Sequence, residues 1–410
     1  MNKELLREFA RLAVKVGVNI QPNQVLFINS PIIASTFTRL IVEEAYNAGA
    51  SAVLVDWSDD ETSRLFYERA SEEALIEVPE YVIKEKEYFI SSGAATLSIT
   101  SPNPTIFKGI DPTRIDKASK ARAPKLKFVN EYIMASRTQW AIVAYPNEEW
   151  AQKVFPNLPV DEAMDKLLES ILYTSRVNVG EDAVQGWNEH MKKLDEHNKV
   201  LNNFNFESLH FKNSLGTDLE IGLVDNHIWA GGGEMSEKGI FFAPNIPTEE
   251  TFTMPHNKKI NGTVVSTKPL NVRGNIIPEF ALTFKDGKVV EYHAKENEEL
   301  LKTLLETDEG SSSLGEVALI SNDSPISNLG VLFYNTLFDE NASCHLALGN
   351  AYAMNVKNGT KMTEEELVKL GYNVSSIHVD FMFGSSDMEI VGTTHNKEKV
   401  QIFRKGNFVI

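Results

Sequence analysis

The stretch VLFINSPIIASTFTRLIVEEAYNAGASAVLVDW, residues 25–57, decides the fold of the first part of the chain. VLFIN, residues 25–29, is a short apolar run that ends at a Ser-Pro pair, which is typical of a buried strand. Apolar residues then recur at helical spacing from Phe37 to Ala45, and AVLVDW, residues 52–57, forms a second apolar run. A strand, a helix and a strand in this order predict a βαβ unit with parallel strands.

The same alternation continues on both sides of this stretch. Residues 5–16 carry an apolar stripe at helical spacing, a further helical stretch lies near residues 65–70, and WAIVAYP, residues 140–146, predicts another strand. Neither a GxGxxG nor a P-loop glycine pattern follows the early strands. The sequence therefore does not indicate a dinucleotide or a nucleoside triphosphate as ligand.

The pattern changes near residue 205. A polar helical stretch from Gly186 to about Asn205 precedes LHFKNSLGTDLEIGLVDN, residues 209–226, in which apolar and polar residues alternate around a Gly-Thr turn. Asp286-Gly287 marks a second hairpin turn. We therefore predict an N-terminal α/β domain with a parallel sheet over residues 1–205 and a mostly antiparallel β (α+β) catalytic domain over residues 206–410.

Composition excludes several classes of protein. The 410-residue chain has 57 acidic side chains against 40 basic ones, a formal charge of −17, which argues against a surface for nucleic acid or anionic membrane. Its apolar runs are shorter than the roughly 20 residues of a membrane helix, and its N-terminal segment mixes charged with apolar residues, unlike a secretory signal. The single cysteine, Cys344, fits a reducing compartment, so we predict a cytoplasmic protein.

The segment IHVDFMFG, residues 377–384, gives the sharpest local signal for chemistry. Its apolar residues alternate with His378, Asp380 and Met382, so it predicts a strand on which His378 and Asp380 project from one face. Such a pair suits joint metal ligation, or an aspartate that orients a histidine. A plain His–Asp hydrogen bond at a strand end is equally compatible with the motif alone.

The segment LFDENASCHLALGNAY, residues 337–352, contributes Glu340, Cys344, His345 and Tyr352. Neighbouring residues on a strand face opposite ways, so Cys344 and His345 make a poor nucleophile–base pair, and Cys344 is expected to be a small buried thiol. His345 can be a ligand or a core histidine. Tyr352 can be a catalytic hydroxyl or a core tyrosine.

Two further segments place carboxylates beside predicted strands. SSLGEVALIS, residues 312–321, has Glu316 at the start of an apolar run, where a buried carboxylate requires a cation or strong donors. NIPTEETFTMP, residues 245–255, has Glu249 and Glu250 between two prolines, and we expect one of them to point inward and the other to face solvent. An exposed strand end and a surface loop are the simpler interpretations.

Together these motifs supply carboxylates and imidazoles within one predicted domain, a ligand set that matches a hydrolase site for two divalent metals with a shared carboxylate. Two alternatives remain open from the residues. A phosphoesterase could use similar ligands, although it would need Arg or Lys to hold phosphate. A peptide-binding module with a structural metal would have a closed coordination shell and no turnover.

The ordered set of these four segments resembles the thermophile-type metallo-aminopeptidases, aminopeptidase T and aminopeptidase S. The resemblance extends to LLREFARLAVKVGVNIQPNQ at residues 5–24 and WAGGGEMSEKG at residues 229–239, so it covers essentially the whole chain. It implies a broad-specificity aminopeptidase that acts as a homodimer on peptides with a free N-terminus. It also implies metal ligands at Glu250, Glu316 (shared between both metals), His345, His378 and Asp380, a further ligand or general base at Glu340, and a catalytic tyrosine at Tyr352.

The resemblance also implies a mechanism. Two divalent ions, Zn²⁺, Co²⁺ or similar, would lower the pKa of a water from about 15.7 towards roughly 7. Glu340 would then take the proton as general base, and Tyr352 would donate a hydrogen bond to the developing oxyanion. Binding of the free α-amine by a metal or a carboxylate would make the enzyme an exopeptidase. No organic cofactor is expected.

Overall fold

The computed structural model describes residues 3–272 and 275–410. The chain forms two compact units. Unit 1 consists of Met1–His190 and Gly233–Pro247, and unit 2 of Met191–Gly232 and Thr248–Ile410. The boundary near residue 205, between the two domains expected from the sequence, stays a prediction.

The described residues contain thirteen α-helices: α1 (Lys3–Leu12), α2 (Ser35–Asn47), α3 (Asp60–Arg69), α4 (Glu72–Ile76), α5 (Glu80–Ser92), α6 (Pro112–Met134), α7 (Glu148–Val154), α8 (Val160–Thr174), α9 (Ala183–Phe204), α10 (Glu298–Leu305), α11 (Pro325–Leu329), α12 (Thr336–Asp339) and α13 (Glu364–Leu370). Within the described ranges, no helix combines the length and apolarity that crossing a membrane requires.

The strands of the first part of the chain are β1 (Val25–Pro31), β2 (Ala52–Ser58), β3 (Ala95–Thr100), β4 (Trp140–Ala144), β5 (Phe206–Lys212), β6 (Asp218–Leu223), β7 (Glu234–Met235), β8 (Phe241–Phe242), β9 (Thr251–Thr253) and β10 (Pro255–Val265). Those that follow are β11 (Leu270–Val272), β12 (Asn275–Ile277), β13 (Phe280–Lys285), β14 (Lys288–Ala294), β15 (Leu314–Leu319), β16 (His345–Gly349), β17 (His378–Met382), β18 (Glu389–Thr394), β19 (Lys399–Arg404) and β20 (Asn407–Phe408).

Unit 1 contains a four-stranded parallel sheet in the order β2-β1-β3-β4. The predicted βαβ unit is confirmed, because β1 and β2 pair in parallel and α2 connects them. Strand β3 is absent from the prediction because Thr96, Ser98 and Thr100 interrupt its apolar run.

Unit 2 contains an eight-stranded sheet in the order β14-β13-β10-β6-β5-β18-β19-β20, whose pairs are all antiparallel. Both predicted hairpins are confirmed. In the β13–β14 turn, Asp286 and Gly287 have φ angles of 51° and 88°, as the two central residues of a type I′ turn require. The predicted fold class, a parallel α/β part followed by a mostly antiparallel part, is therefore correct.

A second antiparallel sheet of unit 2, in the order β17-β16-β15-β9, positions the candidate site. One face of this sheet packs through Val317, Leu346 and Phe381 into a hydrophobic cluster that also contains Leu209 and Phe211 of β5. Because side chains alternate along a strand, the residues directly before and after each of these three on its own strand project from the opposite face. The site is built on that second face.

Candidate metal centre

A row of three residues crosses the small sheet at its centre. Glu316 on β15 pairs with Ala347 on β16, which in turn pairs with Asp380 on β17. The middle residue contributes only a methyl group, so the space above the sheet stays free for the carboxylates on either side. His345 and His378 each precede a member of this row by two residues and therefore lie on the same face.

A glycine sets the direction of Glu316. The register of β15 against β16 shifts between Leu314 and Glu316, which is a β-bulge at Gly315. A Cβ atom on Gly315 would lie 2.3 Å from the carbonyl oxygen of Asn350 and 2.4 Å from that of Gly349, so only glycine fits. The bulge brings Glu316 onto the site face. The next residue, Val317, stays on the opposite face, in the core.

Five side chains of this face converge at short distances. His345 Nε2 lies 3.3 Å from Glu250 Oε2 and 3.4 Å from Glu316 Oε1. His378 Nε2 lies 3.7 Å from Glu316 Oε2 and 3.4 Å from Asp380 Oδ1. Glu316 therefore faces one imidazole with each of its oxygens, which is the placement of a carboxylate shared between two positions.

The carboxylates of the cluster are held in an unfavourable environment. Glu316 is only 5% exposed, and burial, followed by the charges of Glu250 and Asp380, raises its pKa to about 6. Burial and the charges of Asp380 and Glu250 also raise the pKa of Glu340 well above its usual range. Several buried carboxylates at one place are costly unless a cation compensates them.

The imidazoles respond to the same charge. Burial acts to lower the pKa of His378, but the Asp380 carboxylate at 3.4 Å and the other nearby carboxylates raise it to about 9. His345 behaves alike, since Glu250 and Glu316 outweigh burial and hold its pKa well above the usual range. In the absence of another cation, the two imidazolium groups would provide the positive charge.

The hydrogen bonding of His378 orients it as a ligand. Its Nδ1 lies 2.7 Å from the backbone carbonyl oxygen of Asn350, to which Nδ1–H donates. Nε2 is thereby left facing Glu316 and Asp380. A histidine that donates one ring N–H to a backbone carbonyl and presents the other nitrogen is the usual arrangement of a metal ligand.

The donor set fits a divalent metal. The nitrogen–oxygen distances of 3.3–3.7 Å exceed the usual hydrogen-bond length of about 2.9 Å. The shorter of them match the distance of about 3.3 Å between two ligand atoms of a tetrahedral site with metal–ligand bonds of about 2.0–2.1 Å. Glu250, Glu316 and His345 each offer a ligand atom within 4.8 Å of the others. Imidazole nitrogen with carboxylate oxygen suits zinc, cobalt and similar ions.

Glu340 and Tyr352 lie at the border of this cluster. Glu340 begins a short 3₁₀ turn directly after α12. Its charge is coupled to those of the cluster and raises the pKa of Tyr352. Among the described residues, no imidazole lies in short contact with its carboxylate. The Tyr352 ring centroid lies 4.7 Å from that of His378, and 38% of the tyrosine is exposed. Burial, followed by the charges of Glu316 and Asp380, raises the pKa of Tyr352, so its hydroxyl remains protonated.

Two details of the sequence prediction can be compared with the structure. Glu249 does not face solvent: it is 8% exposed, and its backbone N–H donates to Asn341 Oδ1 at 2.8 Å. The expected contrast between Glu249 and Glu250 was therefore wrong, because both are largely covered. Cys344 is a buried thiol, as expected, with its sulfur 3.4 Å from the backbone nitrogen and oxygen of Ile320.

The support of His378 was missed by the sequence reasoning. Asn350 provides the carbonyl, and its side-chain Nδ2 donates to the Ala351 carbonyl at 2.8 Å and to the Tyr372 hydroxyl at 3.2 Å. Asn350 lies within the segment 337–352, but a backbone carbonyl can belong to any residue type. No side-chain pattern could have marked it.

The chain is similar to known proteins over almost its whole length. The family model "Thermophilic metalloprotease (M29)" matches residues 2–408. The chain is 47% identical over 403 residues to aminopeptidase 2 of Geobacillus stearothermophilus, covering 98% of this chain and 97% of that protein. It is also 47% identical over 403 residues to aminopeptidase AmpS of Bacillus subtilis, covering 98% of each. The solved structure of wild-type AmpT from Thermus thermophilus is similar over 100% of both chains, with a TM-score of 0.92 and 37% identity.

Proposed function

The chain belongs to the M29 family of thermophilic metalloproteases and is a metal-dependent aminopeptidase, and we propose that it cleaves N-terminal residues from peptides at the cluster centred on Glu316. One observation carries this proposal. The two oxygens of Glu316 face two imidazoles, at 3.4 Å from His345 and 3.7 Å from His378. A shared carboxylate between two such nitrogens is the arrangement that a two-metal hydrolase needs.

Two divalent ions are proposed, with Glu316 as the ligand common to both. On one side His345 and Glu250 complete the set, and on the other His378 and Asp380, as their distances suggest. Zinc or cobalt is proposed because both accept nitrogen and oxygen ligands. Ions bound there would supply Lewis acidity, which polarises the scissile carbonyl and makes water a nucleophile at neutral pH.

Glu340 is proposed as the general base, although the resemblance also allows it to be a ligand. Burial raises the pKa of Glu340, which makes its carboxylate a stronger base than that of an ordinary glutamate. Its place at the border of the cluster also supports a proton-transferring role. From there the carboxylate can remove a proton from the attacking water and deliver it to the departing amine.

Tyr352 is proposed as the donor to the oxyanion. It stays protonated because its pKa is raised, and it lies against His378 at the accessible edge of the cluster. A hydrogen bond from its hydroxyl would strengthen as negative charge develops on the carbonyl oxygen. Losing such a donor typically costs about 100- to 1,000-fold in rate.

The substrate is proposed to be a peptide with a free N-terminus and little restriction on its first residue. A protonated α-amine is attracted to the carboxylate-rich face, whereas an acetylated terminus lacks that charge. We also propose a cytoplasmic homodimer. The resemblance to aminopeptidases T and S supports the dimer, and the single buried cysteine fits a reducing compartment.

The test measures release of the first residue from an unblocked peptide and from its N-acetylated twin. Metal-stripped protein is assayed alone and after addition of Zn²⁺ or Co²⁺. We expect metal-dependent cleavage of the unblocked peptide only, lost by at least about 1,000-fold in Glu316→Gln. Glu44→Gln, a change at a buried carboxylate of unit 1, is the matched control and should keep its activity.

Two outcomes would contradict the proposal. Equal cleavage of the acetylated twin would show that the free amine is not recognised. Activity that persists in Glu316→Gln, or without any metal, would show that the reaction does not depend on this cluster.

A further inference from the structure

Glu250, a proposed metal ligand, lies at the end of an irregular segment. Residues 248–250 adopt no regular secondary structure, and β9 begins at Thr251. The backbone after Glu250 is fixed, because Thr251 pairs with Leu319 of β15. Holding an irregular segment in one conformation costs conformational entropy. The backbone before Glu250 therefore needs an interaction of its own if the carboxylate is to keep one direction.

The side chain of Asn341 provides such an interaction. Asn341 is fully buried, and its Oδ1 accepts a hydrogen bond from the backbone N–H of Glu249 at 2.8 Å. Glu249 directly precedes Glu250, whose Oε2 lies 3.3 Å from His345 Nε2. The backbone that carries Glu250 is thus held on both sides, by Asn341 before it and by β15 after it.

The same side chain contacts the turn that carries Glu340. Asn341 Nδ2 donates to the carbonyl oxygen of Leu337 in α12 at 3.2 Å, which fixes the amide against that helix. Nδ2 also lies 3.5 Å from Glu340 Oε1. An asparagine amide has two N–H donors and one acceptor oxygen. In Asn341 the oxygen serves the segment of Glu250, and the nitrogen serves the turn of Glu340.

We propose that Asn341 is a positioning residue that fixes Glu250 and Glu340 relative to each other. This inference rests on the proposed function, because the roles of metal ligand and general base come from it. The two glutamates lie far apart in the chain, and the amide of Asn341 connects their segments directly. A base that takes a proton from a metal-activated water has to stay in register with the metal ligands, since a misplacement of about 1 Å can cost about 100-fold in rate.

Two substitutions separate the halves of the amide. Asn341→Ala removes both the acceptor of the Glu249 N–H and the donor to Glu340. Asn341→Asp keeps an acceptor for the Glu249 N–H but presents an oxygen to Glu340 in place of the N–H.

Asn147 of unit 1 allows matched control changes. It is buried, its Oδ1 accepts from the backbone N–H of Trp150 at 2.8 Å, and its Nδ2 donates to the Ser101 carbonyl at 2.9 Å. Asn147→Ala and Asn147→Asp therefore remove the same kinds of hydrogen bond from a part of the chain that carries none of the proposed metal ligands.

The test measures Zn²⁺ affinity by chelator competition, and kcat and KM for an unblocked peptide with the metal-loaded full-length protein. Asn341→Ala should lower both Zn²⁺ affinity and kcat by about 10-fold. Asn341→Asp should bind Zn²⁺ at least as tightly as wild type, because the acceptor is kept and a negative charge is added, but its kcat should fall by about 10-fold. KM should stay unchanged in both variants, since neither change touches the peptide.

A merely structural role for Asn341 gives another order. Burying a further carboxylate should make Asn341→Asp less stable than Asn341→Ala, so metal affinity that followed stability would fall further in the aspartate variant. Both Asn147 variants should lower stability and leave Zn²⁺ affinity and kcat as in wild type.

A measurement on the wild type needs no variant to fold. Residue-resolved hydrogen exchange should show the Glu249 amide exchanging as slowly as that of Phe252 in β9, which donates to the Ala230 carbonyl at 2.8 Å. Exchange at the rate of an open loop overturns the proposal. So does a loss of Zn²⁺ affinity in Asn341→Asp as large as in Asn341→Ala, or wild-type behaviour of both. Failure of the proposed function is distinguishable, because wild type would then not cleave the unblocked peptide with metal present, whatever the state of the Glu249 amide.

Discussion

The parallel sheet of unit 1 and the small antiparallel sheet of unit 2 differ in what their strands bury. In β1 and β3, Ile28 and Leu97 are fully buried apolar residues. In the small sheet, Leu346 is buried in the same way, but its neighbour His345 is buried on the opposite face among carboxylates. Apolar burial stabilises both sheets, while the charged face of the second is stable only with compensating positive charge. The proposed metal site therefore predicts that metal binding and folding are coupled in the small sheet and not in the parallel sheet.

Removing the metal should produce the largest difference between the two sheets. An ion present at about 1,000 times its dissociation constant contributes roughly 4 kcal/mol to the free energy of unfolding. Chelation should therefore increase hydrogen exchange in β15, β16 and β17 and leave β1 and β3 nearly unchanged. Hydrogen exchange followed by mass spectrometry, with and without Zn²⁺, measures this strand by strand.

Glu316→Gln serves as the control for this experiment. The variant removes one negative charge from the cluster and changes the proposed shared ligand, so added Zn²⁺ should no longer restore protection. An equal loss of protection in both sheets of the wild type on chelation would show that the two sheets do not differ in their dependence on metal.

A pair of matched leucine variants tests stability and metal binding separately in the two sheets. Leu97→Ala in β3 and Leu346→Ala in β16 each create a cavity at a fully buried position and should cost about 2–5 kcal/mol of stability. Only Leu346→Ala should also weaken metal binding, because Leu346 lies between His345 and Ala347 on the site strand. Denaturant unfolding and chelator competition give the two quantities. If Leu97→Ala weakens metal binding as strongly, the separation of the two roles is wrong.

The same contrast explains what the sequence could predict. Local patterns were sufficient for the βαβ unit, for the Asp286-Gly287 hairpin and for the shared face of His378 and Asp380, because each depends on neighbours along the chain. The row Glu316–Ala347–Asp380 depends on the register of three distant strands, which no local pattern determines. The resemblance to a family, rather than spacing, brought those segments together.

Other features were hidden for physical reasons. The bulge at Gly315 is determined by the close approach of the Asn350 carbonyl, which is invisible from the glycine alone. One of Glu249 and Glu250 was expected to face solvent because alternation places neighbours on opposite faces, but that rule says nothing about what covers the second face. Sequence therefore predicts which side chains share a face of a strand better than it predicts the groups that support them.

Substituting a residue that positions a side chain of the site should have a different effect from substituting a residue that stabilises unit 1. Asn350→Ala removes the amide that fixes the carbonyl accepting from His378, and we expect metal affinity to fall about 10-fold. Asn147→Ala is the control: it removes a buried asparagine of unit 1 that caps α7 and bonds Ser101. The control should lower stability without changing metal affinity. Chelator competition decides, and an unchanged affinity in Asn350→Ala would show that the carbonyl is positioned by the backbone alone.

The smallest effect concerns Asp308, which connects the turn after α10 to the start of β17. Its carboxylate accepts from the Ser376 hydroxyl at 2.6 Å and amide at 2.7 Å and from the Ser375 hydroxyl at 2.8 Å. These bonds, those from Ser376 first, hold the pKa of Asp308 well below its usual range. Because the group is partly exposed, Asp308→Asn should cost only about 1 kcal/mol at pH 7.

The pH dependence of that cost identifies its origin. A carboxylate whose pKa is lowered by folding stabilises the protein fully above the unfolded pKa of about 3.9, and the contribution is lost as pH falls towards the folded value. The difference in unfolding free energy between wild type and Asp308→Asn should therefore be constant from pH 7 to about pH 5 and narrow below about pH 4. Urea unfolding of both proteins at pH 7, 5 and 3 measures it. A difference in unfolding free energy that stays the same at pH 3 would mean that the serine hydrogen bonds depend on the shape of the side chain rather than on its charge. The start of β17 would then be stabilised without ionised groups, as the parallel sheet is.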